Sequence, residues 1–224
     1  RVGAVLAAAL RSRGHVIVSV AGESDASKRR AAELLPGVPI LKPTAVARGC
    51  DVLLLTVPDD MLSNVVTQLA ASGALREGQH VVHTSGSHGL AVLEPAASVG
   101  AHVVALHPAM TFTGTARDLD RLTACVFGVT AGPAERSWAA DVVAELGGAV
   151  MWVSEELRGL YHAGLAHGAN HLVTLVTQAM ELLGAAGAPD PAATLRPLLQ
   201  AALDNALAEG DSALTGPIVR GDVN

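Results

Sequence analysis

Hydrophobic residues recur along the chain with two periods, and the switch between them marks two different halves. In the first half, short apolar runs alternate with stretches of helical spacing. Val2–Leu10 places aliphatic residues on one helical face and closes at Arg13-Gly14, a helix-terminating pair. His15–Val20 is a β-branched run that predicts a buried parallel strand. Asp25–Leu35 predicts a helix capped by Ser24 or Asp25 and stopped by Pro36-Gly37. Asp51–Val57 is the clearest strand, ended by Pro58, and Met61–Ala71 is helical. Strands follow at His80–Thr84 and His102–Leu106, then at Cys125–Thr130 and Ala149–Val153 on either side of a helix over Pro133–Leu146. Strands alternating with helices of this size imply right-handed βαβ units and a parallel sheet.

Beyond Val153 the period-two signal disappears. Ser154-Glu155-Glu156 opens a helix expected to run to about Leu183, and a second is expected from Pro191 to about Glu209. The expected organisation is therefore an α/β Rossmann-type domain over residues 1–153 and an all-α domain over residues 154–224, with no long linker between them.

Composition narrows the function classes. Half of the residues are hydrophobic, 16% are charged and only 2% are aromatic, which implies a globular chain with a core of small aliphatic side chains. The net charge of −6 and the lack of a basic run argue against nucleic acid and anionic membranes as partners. No apolar stretch is long enough to span a bilayer. Cys50 and Cys125 lie far apart in apolar surroundings and read as reduced core thiols, which suits a cytoplasmic protein.

In an open parallel sheet, ligands bind beyond the carboxyl ends of the strands. Arg1-Val2-Gly3 leads straight into the first helix, and Gly3 falls where the last glycine of a G-x-G-x-x-G dinucleotide fingerprint would stand. The first strand and the first two glycines of that fingerprint are expected upstream of Arg1; a plain helix-start glycine is the competing reading. After Val20, Glu23 could hold ribose hydroxyls as in NAD sites, whereas Ser24, Lys28 and Arg29 could receive a 2′-phosphate. The late position of Glu23 tilts the reading to NADP, although Lys28 and Arg29 could equally be ordinary surface charges. Thr56, Val57 and Pro58 after one strand, and Ser85 and Gly86 after the next, would line the nicotinamide-ribose side. His107, beside Pro108 at a strand tip, could face a substrate or simply bond a loop carbonyl.

The helix beginning near Tyr161 carries His162 and Asn170, and also His167 and His171 four residues apart. Two histidines at that spacing can bind zinc, but Gly168 replaces the glutamate of a metalloprotease helix and no third ligand is evident, so no metal is assigned. Arg220, in the glycine-rich stretch from Ala213 to Asp222, could bind a carboxylate or pin its own loop.

Taken together, these segments resemble a family of Rossmann-like proteins with a C-terminal helical domain of unknown function, related to ketopantoate reductase, pyrroline-5-carboxylate reductase and the 6-phosphogluconate dehydrogenase superfamily. The resemblance rests on Arg1-Val2-Gly3, Thr56-Val57-Pro58-Asp59, His83-Thr84-Ser85-Gly86, Leu106-His107-Pro108 with Thr111-Phe112, Tyr161-His162 with Asn170, and Thr215-Gly216-Pro217 through Arg220-Gly221-Asp222. It implies NADP as cofactor, with NAD or a deazaflavin as lesser alternatives, a homodimer formed by the helical half, and further helix beyond Asn224. It also implies an oxidoreductase acting on a small carbonyl, imine or hydroxy acid in an interdomain cleft. Asn170 matches the superfamily's site asparagine, and His162 occupies the place of its lysine. His162 and Asn170 are then the catalytic pair, with His107 assisting and Thr111 and Arg220 on the substrate. A histidine can do acid–base work near neutral pH. The replacement of lysine leaves open a second reading, a non-catalytic dinucleotide-binding sensor or scaffold.

Overall fold

A computed structural model describes residues 1–216 and divides the chain into two compact units, Arg1–Leu165 and Ala166–Asn224. The first unit opens with α1 (Val2–Ser12), which buries Val5, Leu6 and Leu10 on one face. The helix stops where the chain turns at Gly14, whose φ of +99° suits a residue without a Cβ. Next come α2 (Asp25–Leu34), α3 (Pro43–Arg48), β1 (Val52–Leu55), α4 (Asp59–Ala71), β2 (His80–His83), α5 (Glu94–Ala97) and β3 (His102–Pro108). The unit continues with α6 (Arg117–Leu122), β4 (Val126–Ala131), α7 (Arg136–Glu145), β5 (Ala149–Trp152) and the first turns of α8 (Arg158–Ala185).

The five strands lie side by side in chain order. Their side chains alternate between faces, as the period of two demands. Val82, Val104, Phe127 and Val129 join Leu6 and Leu10 of α1, Leu122 of α6 and Val143 of α7 in one core layer. Leu53, Leu55 and Val81 join Val46 of α3, Leu62, Val66 and Leu69 of α4 and Leu93 in the other. Buried Cys125 and half-buried Cys50 are both free thiols and belong to these two layers.

Two departures from the sequence pattern have physical causes. β1, β2 and β3 are parallel, and so are β4 and β5, but β3 and β4 are antiparallel, with Val104 opposite Ala131 and Pro108 opposite Phe127. A parallel return needs a crossover long enough to recross the sheet. The six residues of α6 span roughly 9 Å at 1.5 Å per residue. They pack beside α1, and the chain re-enters the sheet from the edge it left. The second departure is His15–Val20, which forms no strand. Its single bridge joins Val20 to Ile40, through Val20 N–H to Pro39 O (3.0 Å) and Leu41 N–H to Val20 O (2.9 Å). Among the described residues the run has no ladder neighbour along its length, and Val16 is 84% exposed. Branched side chains favour a strand only where a sheet exists to receive them.

In the second unit α8 continues to Ala185 and α9 covers Pro191–Glu209, capped by Asp190, whose carboxylate accepts from Ala193 N–H at 2.9 Å. No helix is long and apolar enough to cross a membrane among the described residues.

Candidate active site at the strand tips

Because β1, β2 and β3 are parallel, their carboxyl ends share one edge of the sheet, and the segments that follow them meet there. The start of α1 reaches the same edge. A Cβ added to Gly3 would collide with Oγ1 of Thr56, the residue directly after β1. No side chain caps α1, so the N–H groups of its first turn carry the helix's positive end without a side-chain acceptor. Arg1 and Val2 flank Gly3 at this position; Arg1 is exposed and Val2 packs partly into the core.

The segment after β2 is tied to the start of α4 by polar contacts. Ser87 Oγ donates to Asp59 Oδ2 (2.8 Å), and the Ser85 and Ser87 hydroxyls both lie 3.1 Å from His88 Nδ1. Burial pushes the Asp59 carboxyl up, but hydrogen bonds from Ser87 and Ser85 and the positive fields of His88 and His162 outweigh it, leaving Asp59 below the ordinary carboxylate range. Beneath the segment, His83 is fully buried, with Nδ1 accepting from Ser85 N–H (3.1 Å) and Nε2 2.8 Å from Gly89 O. Nδ1 therefore lacks a proton, and Nε2–H donates to Gly89. Burial drives the His83 pKa down to about 4.

His107 from β3 and His162 from the start of α8 converge on Gly86, and Tyr161 joins them through His107. His107 Nδ1 lies 2.9 Å from the Tyr161 hydroxyl, and the two rings meet edge to face. The His107 and His162 centroids are 6.3 Å apart. A Cβ at Gly86 would stand 2.6 Å from His162 Nδ1 and 3.0 Å from His107 Nε2. His162 Nδ1 is buried without a hydrogen-bond partner among the described residues. The Tyr161 ring lies so close on Gly128 of β4 that any side chain there would strike it.

Arg158, one turn before His162, is only 1% exposed. Its Nε donates to Thr130 Oγ1 (2.8 Å) and its Nη2 to Ala105 O (3.0 Å) and Gly128 O (3.2 Å). Its guanidinium sits 5.8 Å from the Tyr161 ring centre. Burial, reinforced by the nearby charges of Arg158 and His162, takes the His107 pKa down to about 4, so this imidazole is neutral at pH 7. Burial raises the Tyr161 phenol, which keeps its proton.

Ser24 caps α2, accepting from Ser27 N–H at 3.2 Å. Lys28 stands 3.8 Å from Asp25, and Arg29 is exposed. A surface cavity of about 340 Å³ is lined by Gly22, Glu23, Ile40, Leu41, Lys42 and Pro43. Thr56 and Val57 are half-buried, Pro58 is exposed, and Ser85 and Gly86 are buried. Thr111 is exposed in the segment after β3. Asn170 belongs to the second unit, on the continuation of α8. The His167 and His171 rings meet edge to face at 4.3 Å, and no group of three metal-ligating side chains is gathered among the described residues. Arg220 lies outside the described residues.

Sequence reasoning did not assign roles to Tyr161, Arg158, Asp59, His88 or Lys42. Only the serine-rich stretch after β2 offered a signal, since hydroxyls at a strand tip invite partners on the next loop. An arginine at a helix start reads as a surface charge until its burial is known.

Two family profiles match the chain: a Rossmann-like domain over residues 1–108 and a domain of unknown function, DUF2520, over residues 125–224. No significant match is found among curated proteins. Among solved structures, a Bacteroides fragilis protein described provisionally as an NADP oxidoreductase superposes with a TM-score of 0.82 at 22% identity, covering 99% of this chain and 83% of its own. Plasmodium falciparum pyrroline carboxylate reductase with NADP bound gives 0.62 at 12% identity, covering 100% and 80%. An Aspergillus terreus reductive aminase in complex with NADPH and ethyl levulinate gives 0.67 at 20% identity, covering 92% and 71%. At these identities the likeness establishes a shared fold.

Proposed function

Since the chain belongs to the family that joins a Rossmann-like domain to a DUF2520 domain, we propose that it is an NADP-dependent oxidoreductase acting on a small carbonyl, imine or hydroxy acid. The observation that carries this reading is the meeting of Gly3, Thr56, Gly86, His107 and His162 at one edge of the sheet. The residues fit a dinucleotide. The close approach of Gly3 to Thr56 brings the uncapped end of α1 to the strand tips, where a pyrophosphate would be held by backbone N–H groups. Thr56, Val57, Pro58, Ser85 and Gly86 would line the nicotinamide-ribose side. Ser24, Lys28, Arg29 and Lys42 would surround the adenosine side, and their cations and hydroxyls favour a 2′-phosphate. The NADP and NADPH bound to the pyrroline carboxylate reductase and reductive aminase lend support.

Bound NADPH would supply a hydride from its nicotinamide ring, and the protein would bind, orient and handle the proton. His162 fits the proton role, because its Nδ1 has no hydrogen-bond partner among the described residues and lies against Gly86, close to His107 Nε2. His107 is neutral and can donate or accept a hydrogen bond without carrying charge into the site. Asn170 and Arg220 are assigned to the substrate, and Thr111 lies on the segment after β3. Leu172, Leu175, Leu182, Leu198 and Leu207 are exposed on α8 and α9, and this apolar surface favours a homodimer formed by the helical half.

Titration of the full chain with NADPH and NADH, followed by turnover on a carbonyl panel, tests the reading. Tighter binding of NADPH, with turnover that falls in His162→Ala while NADPH affinity stays, is the expected result. Unchanged turnover in that variant removes His162 from the chemistry. Tight NADPH binding without turnover of any carbonyl would instead support a dinucleotide-binding sensor. Light scattering checks the dimer.

A further inference from the structure

We infer that Tyr161 is a positioning residue whose hydroxyl donates to Nδ1 of His107 and so fixes the imidazole as the Nε2–H tautomer, a hydrogen-bond donor on the side of Gly86 and His162 Nδ1. The inference deepens the oxidoreductase reading and rests on it for the substrate's identity; the tautomer itself stands on geometry alone.

A neutral imidazole carries one proton on one of two nitrogens, and the partner of one nitrogen decides the state of the other. The nearest partner of His107 is the Tyr161 oxygen, 2.9 Å from Nδ1. Tyr161 cannot easily turn away. Its ring is seated on the bare α-carbon of Gly128, and the Arg158 guanidinium, itself anchored to Thr130, Ala105 and Gly128, packs beside it. A phenol that keeps its proton in a half-buried site has to place it on an acceptor, and Nδ1 of His107 is within reach. The proton of His107 is then left on Nε2, which has no protein partner among the described residues and lies on the same side of Gly86 as the unpartnered Nδ1 of His162.

The two histidines thus become unlike. His107 presents a fixed, uncharged N–H, and His162 presents a buried nitrogen with no hydrogen-bond partner among the described residues. Such a pair suits a carbonyl oxygen or imine nitrogen, which would accept from His107 and is the atom that gains the proton on reduction. Arg158 reinforces the asymmetry by disfavouring a second proton on His107.

Nitrogen-15 NMR of the full chain labelled in histidine reads the tautomer without cofactor or substrate. The expected spectrum shows His107 with a protonated Nε2 and a bare Nδ1 across pH 6–8, and an Nδ1–H signal emerging in Tyr161→Phe, which keeps the ring on Gly128 but loses the hydroxyl. An Nδ1–H tautomer in the wild type, or an unchanged tautomer in a folded Tyr161→Phe, overturns the inference. The wild-type spectrum decides even if the variant does not fold. Failure of NADPH to bind in a separate titration counts against the oxidoreductase reading and leaves the tautomer result intact.

Discussion

Gly3 and Thr56 lie so close that a single added methyl on the glycine would overlap the threonine hydroxyl. This contact brings the first turn of α1 to the tip of β1, and it makes a strong prediction. Gly3→Ala should destabilise the protein by about 1–3 kcal/mol through overpacking, despite the better helix propensity of alanine. Adding Thr56→Ala should recover most of that loss, because the obstructing oxygen is gone. A urea-unfolding double-mutant cycle checks this, and additive effects of the two substitutions would show that the residues do not touch.

Gly86 should tolerate no side chain for a different reason. A methyl there would press on His162 Nδ1 and His107 Nε2 at once. Gly86→Ala should leave the fold and its circular dichroism intact while cutting carbonyl-panel turnover by up to about 100-fold, the scale expected of an ångström's displacement between reacting groups. Turnover equal to wild type would place the chemistry elsewhere.

Arg158 should be costly to remove. Arg158→Met removes a charged donor from Thr130, Ala105 and Gly128, and each such hydrogen bond contributes about 1.5–3 kcal/mol. The same substitution removes a positive field from His107, so the His107 pKa should rise from its low value. Denaturant unfolding measures the first effect and NMR titration the second; a fixed His107 pKa would exclude Arg158 as one of its causes.

Stability should fall on mild acidification. His83 and His107 both have folded pKa values of about 4, against 6.5 for an unperturbed histidine. Between those values the unfolded chain binds protons that the folded chain refuses, so stability is full above pH 6.5 and declines as pH drops toward 4. Each histidine contributes a slope of up to about 1.4 kcal/mol per pH unit in that window. Below it, loss of the hydrogen-bonded Asp59 carboxylate adds a further decline. Urea midpoints at pH 7 and pH 5 test the claim, and equal midpoints would mean that these imidazoles protonate without unfolding.

Much of the architecture is legible in local pattern. The helix over Pro191–Glu209 and the cores of all five strands coincide with runs whose apolar period is unambiguous. Short α3, α5 and α6 escaped notice because four to six residues carry too little periodicity to stand out from a loop. Likewise, Gly3 and His107 could be picked out as strand-edge candidates from their neighbours in the chain, whereas the partner of His107, 54 residues away, could not.

What the order of residues settled by itself is periodicity: which side chains face a core, where helices start and stop, and which polar groups fall just past a strand. Strand direction, the lack of a ladder for His15–Val20, the burial of Arg158, the seating of Tyr161 on Gly128 and the convergence of His107 and His162 on Gly86 were decided only in three dimensions. Local preference depends on near neighbours and is written continuously along the chain. Proximity across the sheet depends on how far each connection travels before it re-enters, and no short stretch of sequence contains that distance.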